Sequence, residues 1–251
     1  MSIVVNIHNK TYPSRTPWQD HIALTDIAFE IPKSQFTCIV GPSGCGKSTL
    51  LNIVCGLEKK FEGTISINGE GPEKAHIGYM FQTPRLMPWL SVLDNVRLVM
   101  DNPEEEEELA RRLLEEMHLG DVLQAFPNRL SGGMQRRVAL ARAFVMQPSL
   151  LLMDEPFISL DEPAAIRLRK ALLDLWSERP TTVLFVTHDL SEAIYLADRI
   201  LFLSPGPGRI VLDYKVPLTR DREKLAKKDI EAHKSELLEK YPDLLTGLAE
   251  A

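Results

Sequence analysis

The residues best suited to chemistry form a glycine-rich loop that follows the apolar segment Phe36–Val40 and opens a predicted helix. The loop fits the pattern G-x-x-x-x-G-K-[ST]. Glycines let backbone N–H groups curve around phosphate oxygens, and a helix N-terminus adds positive potential there. Lys47 can reach the β and γ phosphates, and the Ser48 hydroxyl can bind Mg²⁺. The predicted nucleotide-binding residues, here called the phosphate loop, are Gly41, Pro42, Ser43, Gly44, Cys45, Gly46, Lys47, Ser48 and Thr49.

Two acidic residues follow a second apolar segment, Leu150–Met153. Ligands bind beyond the carboxyl ends of strands in a parallel sheet, so we expect Asp154 beside the phosphate loop, where it would hold Mg²⁺ through water. Glu155 would then polarise an attacking water, as in-line phosphoryl transfer requires. An apolar run that ends in Asp-Glu is common by itself. The phosphate loop upstream favours the functional interpretation.

A second anion-binding turn is predicted where the segment Leu130–Gln135, the signature loop, precedes a helix. Ser131, Gly132 and Gly133 would present a hydroxyl and exposed N–H groups at the helix N-terminus. One triphosphate does not need two such sites far apart in sequence, so the second is expected to serve the γ-phosphate bound by another copy. A serine N-cap followed by flexible glycines would be the default interpretation of this segment alone.

In order and spacing, these segments resemble the ATP-binding cassette ATPases over about residues 1–215. The sequence LSGGMQ is highly specific to that family. The resemblance implies an α/β fold: a P-loop NTPase core with a mixed, largely parallel sheet flanked by helices, an N-terminal antiparallel β subdomain, and a helical signature subdomain. The residues that carry it are Gly41–Thr49, Gln82, Leu130–Gln135, Leu150–Glu155, Ser159–Asp161 and His188.

The same resemblance implies ATP and Mg²⁺ as cofactors and assigns further roles. Gln82 resembles the glutamine that contacts Mg²⁺ and the attacking water, and His188 the histidine that contacts the γ-phosphate. Asp161 resembles the aspartate that crosses the dimer interface. Tyr12 resembles the aromatic that stacks on adenine, and we prefer it to Trp18 by position. The implied catalytic residues are Glu155, His188, Gln82 and Lys47. The implied metal ligands are Ser48, Gln82 and Asp154. The residues implied to contact the nucleotide from the second copy are Ser131, Gly132, Gly133, Gln135 and Asp161.

Two positions depart from the family pattern. The glycine that usually precedes the phosphate-loop strand is replaced around Ser34-Gln35, and Ile158 stands where a small residue is commoner. Neither change touches the required chemistry, although both bear on the fine geometry of the loops.

A narrower resemblance points to the nitrate, sulfonate, taurine and bicarbonate importers. It is carried by Pro88-Trp89-Leu90, by Cys45 in the phosphate loop and by Pro207–Ile210; related cassettes for thiamine precursors share these features. It implies a homodimer or paired ATPase, two integral membrane permease subunits, and indirectly an extracytoplasmic solute-binding protein. The docking surface would be Thr83–Asn95. Its apolar side chains would receive a helix of the membrane subunit, although a role in the core is equally plausible for each of them: Leu86, Met87, Trp89 and Leu90.

Composition narrows the function classes. The 251 residues carry a net charge of −6, which argues against a nucleic-acid partner. No apolar run approaches the roughly 18 residues of a membrane span, and no secretory signal is evident, so we expect a cytoplasmic protein, peripheral on the inner face of the membrane. The three cysteines favour neither disulfides nor zinc.

The predicted domain ranges follow the motifs: 1–82 and 148–215 for the ATP-binding core, 83–147 for the helical subdomain and 216–251 for a helical tail. Two alternatives stay open at this point. One is a cassette ATPase that works outside transport, with the same chemistry and another partner. The other is a P-loop kinase for a small molecule, which the second anion-binding turn and the Asp-Glu pair disfavour.

Overall fold

The computed structural model describes residues 2–13, 20–104, 106–218 and 225–247. The chain divides into two compact units, Met1–Ala75 with Thr182–Ala251, and His76–Thr181. Trp18 lies outside the described residues, as does Asp221, where the charged tail begins. The predicted domain ranges follow motifs rather than contacts, and they stay predictions.

An antiparallel sheet opens the first unit. It consists of β1 (Ser2–Tyr12), β2 (His21–Pro32) and β4 (Glu62–Ile67) in the order β2-β1-β4. Apolar side chains alternate along its strands, and their cross-strand pairs bury one face, as the two-residue period of a β-strand requires. Two of these pairs are Val5 with Phe29 and Ile7 with Ile27.

A largely parallel set of strands forms the rest of the first unit's sheet structure. It contains β3 (Phe36–Val40), β7 (Thr182–Thr187), β8 (Arg199–Leu203) and β9 (Ile210–Lys215) in the order β7-β3-β8-β9, with β9 antiparallel to β8. Every residue of β3 and β7 is buried, as is typical of strands covered on both faces.

Among its described residues, the first unit contains the α-helices α1 (Lys47–Val54), α6 (Leu190–Leu196) and α7 (Lys227–Lys240). The sequence predicts a helix over Lys47–Leu57, but α1 ends at Val54, so the predicted C-terminal end was wrong by three residues. The helix ends at Val54 because Gly56 adopts a φ of 76°, a left-handed conformation that closes a helix C-terminus.

The second unit, where the structure describes it, combines a parallel strand pair with four α-helices. The pair is β5 (Ile77–Met80) and β6 (Leu150–Asp154), in which Met80 lies opposite Met153. Helix α4 forms the centre of the unit, and its buried residues include Val138, Leu140 and Phe144. The helices are α2 (Val92–Arg97), α3 (Glu107–Glu116), α4 (Gly132–Val145) and α5 (Glu162–Glu178).

Local signals in the sequence decide several helix termini and turns. The Ser91 hydroxyl accepts a hydrogen bond from the Asp94 amide at 3.1 Å and donates one to the Asp94 carboxylate at 2.6 Å, so Ser91 caps the N-terminus of α2. On α3, Arg111 lies 2.6 Å from Glu107, a favourable ion pair at spacing i, i+4. Among the described residues, no helix has the length and apolar character needed to cross a membrane.

Candidate functional site

The phosphate loop connects β3 to α1 in the first unit, as predicted. Gly44 and Gly46 adopt φ values of 80° and 96°, which glycine reaches without strain. At Gly46 the neighbouring atoms also leave no room for a side chain. A Cβ there would lie 2.6 Å from the Cδ2 of Leu24 and 2.8 Å from the Ala23 carbonyl oxygen. The loop therefore packs too closely on β2 to accept any other residue at position 46.

Lys47 is buried, with 7% of its surface exposed, and its ammonium group lies against the loop's own backbone. Nζ donates hydrogen bonds of 2.8 Å to the Gly41 carbonyl oxygen and 3.0 Å to that of Pro42. The positive charge thus lies over the turn whose N–H groups would bind phosphate, while Ser48, next to it, is exposed to solvent.

A second turn, which contains Gly208, packs against the phosphate loop. Gly208 donates a hydrogen bond of 2.9 Å to the Ala23 carbonyl oxygen, and a Cβ on Gly208 would overlap the Cys45 carbonyl oxygen. The Cys45 side chain is fully buried, and its Sγ would lie 2.8 Å from a Cβ on Gly41. Cys45 therefore fills space inside the loop. From the sequence, Gly208 belongs to the family feature Pro207–Ile210, and its support of the phosphate loop was not predicted.

His188 follows β7 at the edge where β3 leads into the phosphate loop. Val40 lies opposite Thr187 in the parallel pair, so Gly41 and His188 directly follow paired residues. The His188 side chain is exposed. The structure thus brings together two of the predicted site segments of this unit, as the rule for carboxyl ends of parallel strands requires.

Tyr12 lies close to the helix that follows the phosphate loop, with its hydroxyl 3.5 Å from the Thr49 hydroxyl. The Lys10 ammonium group lies 4.1 Å from the centre of the Tyr12 ring. Lys10 is only 2% exposed; it pairs with Glu58 at 3.1 Å and donates to the Lys60 carbonyl oxygen at 2.7 Å. This buried cation was missed by sequence analysis, because a lysine side chain ordinarily faces solvent. The adenine-stacking role of Tyr12 stays a prediction.

In the second unit, β5 and β6 end side by side and carry Gln82 and the Asp154-Glu155 pair. Asp154 is buried at the end of β6, Glu155 is half-buried and Gln82 is exposed. Glu155 adopts a φ of 44°, a left-handed conformation. This conformation is unfavourable for any residue that has a Cβ atom, and it is often found at functional sites. The predicted proximity of Asp154 to the phosphate loop involves both units and stays a prediction.

Arg136 on α4 connects the segments that follow these two strands. Its guanidinium donates hydrogen bonds to the carbonyl oxygens of Gln82 at 3.0 Å, Pro156 at 2.8 Å and Ile158 at 2.8 Å. Burial lowers the pKa of Arg136 from its ordinary value. Sequence analysis missed this residue. The sequence feature that could have identified Arg136 is a charged side chain on the otherwise apolar face of a predicted helix.

The signature loop forms the N-terminus of α4. The Ser131 hydroxyl accepts a hydrogen bond from the Met134 amide at 3.2 Å, and the space around Gly132 is open. Gln135 turns its amide back onto the loop and donates to the carbonyl oxygens of Pro127 at 2.9 Å and Leu130 at 3.4 Å. The Gln135 side chain therefore shapes the signature loop from within.

Asp161 caps the neighbouring helix α5, with its carboxylate accepting a hydrogen bond from the Ala164 amide at 2.9 Å. The two helix starts are in contact, because a Cβ on Gly133 would lie 3.1 Å from the Cβ of Ala164. The structure thus brings the signature loop and Asp161 together at one surface of the second unit, where Ser131, Gly132 and Asp161 are all exposed.

Comparison with known proteins decides the family. The model of the ABC transporter family matches residues 24–158, which include the phosphate loop, the signature loop and the Asp154-Glu155 pair. The chain belongs to the ABC transporter family. As a member of this family it binds ATP and is an ATPase.

Named relatives of this ABC transporter protein cover most of its length. It is 43% identical over 214 residues to "Aliphatic sulfonates import ATP-binding protein SsuB 2" of Burkholderia cenocepacia, covering 84% of this chain and 79% of the relative. It is 40% identical over 228 residues to "Aliphatic sulfonates import ATP-binding protein SsuB" of Bacillus cereus, with 88% and 90% covered. The corresponding protein of Zymomonas mobilis is 45% identical over 203 residues, with 80% and 83% covered.

Solved structures of similar chains confirm the predicted fold class. A dimeric post-hydrolysis state of the ATP-binding cassette MJ0796, bound to ADP and Pi, superimposes with a TM-score of 0.75 at 32% identity, covering 87% of this chain and 100% of that one. A second dimeric structure of MJ0796 gives 0.74 at 33% identity, with the same coverage. The ABC cassette fold, with its mixed sheet, antiparallel β part and helical part, is therefore established for this chain.

The predicted metal ligands offer oxygen atoms, which are the donors that Mg²⁺ prefers. Among residues 2–13, 20–104, 106–218 and 225–247, no cluster of three or more His, Cys, Asp or Glu side chains could hold a metal ion. Mg²⁺ is typically bound by one or two carboxylates together with substrate phosphates and water. The Asp154 carboxylate, the Ser48 hydroxyl and the Gln82 amide oxygen are ligands of this kind, and their roles stay predictions.

Proposed function

We propose that this chain is the ATP-hydrolysing subunit of an importer for a small anionic solute, of the aliphatic sulfonate, taurine or nitrate class, and that it works as a head-to-tail dimer. The names of the relatives at 40–45% identity support the solute class and the import direction. The observation that carries the dimer is the open signature loop, a second anion-binding turn in a chain that already has a phosphate loop.

The geometry of the signature loop supports binding of a partner's nucleotide. Ser131 is exposed, nothing lies within 4 Å of the Cβ position of Gly132, and the N–H groups of Gly132 and Gly133 at the start of α4 have no carbonyl acceptor within the helix. Asp161 lies at the same surface. A γ-phosphate bound to the phosphate loop of a second copy would complete the hydrogen bonding of this turn. The dimeric state of the neighbour with ADP and Pi is consistent with this arrangement.

Each predicted site residue has a role in this proposal. Lys47 neutralises charge on the β and γ phosphates, and Asp154 binds Mg²⁺, with Ser48 and Gln82 as further ligands. When bound, the metal ion neutralises charge on the phosphate oxygens. Glu155 orients and polarises the attacking water, and His188 contacts the γ-phosphate.

We further propose that two integral membrane permease subunits dock on Thr83–Asn95 and that an extracytoplasmic solute-binding protein delivers the solute, so that the ATPase lies at the inner face of the membrane. Trp89 is the exposed anchor of this surface, with 70% of its area accessible. The segment around it is rigid, because the buried Asn95 amide donates to the carbonyl oxygens of Met87 and Leu90 at 3.1 Å each. A preformed apolar surface of this kind fits a short amphipathic helix.

Replacement of one side chain tests the mechanism. In Glu155→Gln the amide cannot accept a proton, so ATP hydrolysis should fall by a factor of about 10²–10⁴. ATP binding should persist, and the protein should accumulate as an ATP-dependent dimer in size-exclusion chromatography. The matched control is Glu178→Gln, an exposed glutamate of the same unit, which should hydrolyse ATP and remain monomeric at rest.

Two outcomes would contradict the proposal. Normal turnover of Glu155→Gln would remove the assigned role of the carboxylate. A phosphorylated small molecule in place of free phosphate among the products would indicate a kinase. The importer assignment is tested separately, by co-purification of integral membrane subunits with the full chain.

A further inference from the structure

The C-terminal helix α7 packs against α6, the helix that begins directly after His188. All of the residues concerned belong to the first unit. We infer that α7 positions His188 for ATP hydrolysis through Ser191, so that Glu231 and Lys234 are positioning residues of the site. This inference rests on the proposed role of His188 at the γ-phosphate.

The backbone on both sides of His188 is held by a short chain of hydrogen bonds. The buried Thr187 hydroxyl donates to the Glu192 carboxylate at 2.8 Å and accepts a bond from the Asp189 amide at 3.0 Å. The Asp189 carboxylate in turn accepts bonds from the amides of Ser191 at 2.7 Å and Glu192 at 3.4 Å. A displacement of the first turn of α6 is therefore transmitted to both neighbours of His188.

Helix α7 contacts this first turn at the Ser191 side chain. Lys234 Nζ donates a hydrogen bond of 2.9 Å to the Ser191 hydroxyl, which donates one of 3.2 Å to the Glu231 carboxylate. A serine hydroxyl can donate one hydrogen bond and can also accept one. Here Glu231 accepts the hydroxyl proton and the Lys234 ammonium group donates to the oxygen, so both capacities are used by charged groups of α7. The two ionic partners also restrict the Ser191 rotamer, and with it the start of α6.

The attachment transmits position only if α7 is itself held in place, and it is held at several points. Ile230 and Leu237 are buried, and the Tyr214 hydroxyl of β9 lies 2.8 Å from His233 Nε2. Beyond the helix, a Cβ on Gly247 would lie 2.7 Å from the Leu203 carbonyl oxygen at the end of β8. The helix is thus fixed to the sheet on one side and to Ser191 on the other.

Steady-state ATP hydrolysis by the full chain tests the inference with Lys234→Met, which removes the ammonium group and keeps most of the side-chain length. The kcat should fall about threefold to tenfold, while the KM for ATP should stay within about twofold, because the phosphate loop is unchanged. Lys234→Arg should restore most of the activity. Lys228→Met is the matched control: an exposed lysine of the same helix that should leave kcat unchanged.

A double-mutant cycle separates positioning from a general loss of structure. In the His188→Ala background, Lys234→Met should cause no further fall in kcat, because the side chain that α7 positions has been removed. An equal fall in both backgrounds, or a kcat of Lys234→Met equal to that of Lys228→Met, would overturn the inference. Full activity of His188→Ala alone would instead overturn the proposed role of His188, and the two failures are therefore distinguishable.

Discussion

The guanidinium of Arg136 donates a hydrogen bond of 3.0 Å to the backbone carbonyl oxygen of Gln82, a residue 54 positions earlier in the chain. The same side chain binds the carbonyl oxygens of Pro156 and Ile158, which follow Glu155. One buried cation therefore connects the two segments that carry the predicted water-orienting and metal-binding residues of the second unit. The position of Gln82 relative to Glu155 depends on it.

The first prediction concerns this connection. Arg136→Ala leaves buried carbonyl oxygens without a donor, so the free energy of unfolding should fall by about 2–4 kcal/mol and ATP hydrolysis should fall with it. Urea denaturation measures the change, with the fluorescence of Trp176, a largely buried residue of the same unit, as reporter. Arg112→Ala, on the exposed side of α3, is the control and should be near neutral. Equal stability of the two variants would contradict the structural role of Arg136.

The second prediction uses the open space at the signature loop. A Cβ on Gly132 meets nothing within 4 Å, so Gly132→Ala should leave the melting temperature unchanged or slightly raised, and ATP binding by the protomer should persist. If a partner's phosphate approaches this position, ATP-dependent dimer formation and hydrolysis should fall at least tenfold, by about 1.4 kcal/mol or more. Analytical ultracentrifugation with ATP measures the dimer. A dimer of normal stability with normal turnover would show that no ligand reaches Gly132.

The third prediction concerns pH and the buried Lys10. A hydrogen bond from the Lys60 amide, with the neighbouring Lys10 as a further cause, lowers the pKa of Glu58 below its ordinary value. A carboxyl whose pKa is lower in the folded state stabilises the fold above its unfolded pKa, and this contribution is lost as the pH falls through the folded pKa. Thermal unfolding of Glu58→Gln should therefore show a lower melting temperature than the parent at pH 7 and a smaller difference at pH 3.

A matched variant sharpens the pH experiment. Glu73→Gln changes an exposed glutamate of the same unit, and its melting temperature should follow the parent at both pH values. A difference between Glu58→Gln and the parent that does not change with pH would mean that the carboxylate charge is not what stabilises the contact with Lys10.

The two departures from the family pattern show how far local sequence determines conformation. Ser34 stands near the usual glycine position, and it adopts a φ of 57°, a left-handed conformation that favours glycine. The turn before β3 thus keeps its shape with an unfavourable residue, because the strands on either side fix it. At Ile158 the carbonyl oxygen, and not the side chain, accepts the hydrogen bond from Arg136, so this contact does not depend on the size of the residue at position 158.

The sequence by itself determined the features that depend on a few consecutive residues. These are the phosphate loop, the alternating strands of the antiparallel sheet, the buried segments β3, β6 and β7, and the caps at Ser91, Ser131 and Asp161. Each follows from local sterics, from hydrophobic period or from a side chain that bonds its own helix N-terminus, and such effects act within about one turn or one strand.

Only the tertiary structure decided which distant residues support those motifs. Lys10 pairs with Glu58, Gly208 packs against Cys45, Arg136 bonds the segments that follow two strands, and Lys234 bonds Ser191. In each case the partners lie far apart in sequence, and local spacing does not reveal the contact. A buried charge or a close backbone approach is stable only when the surrounding fold supplies its partner. The identity of that partner is therefore a property of the folded chain.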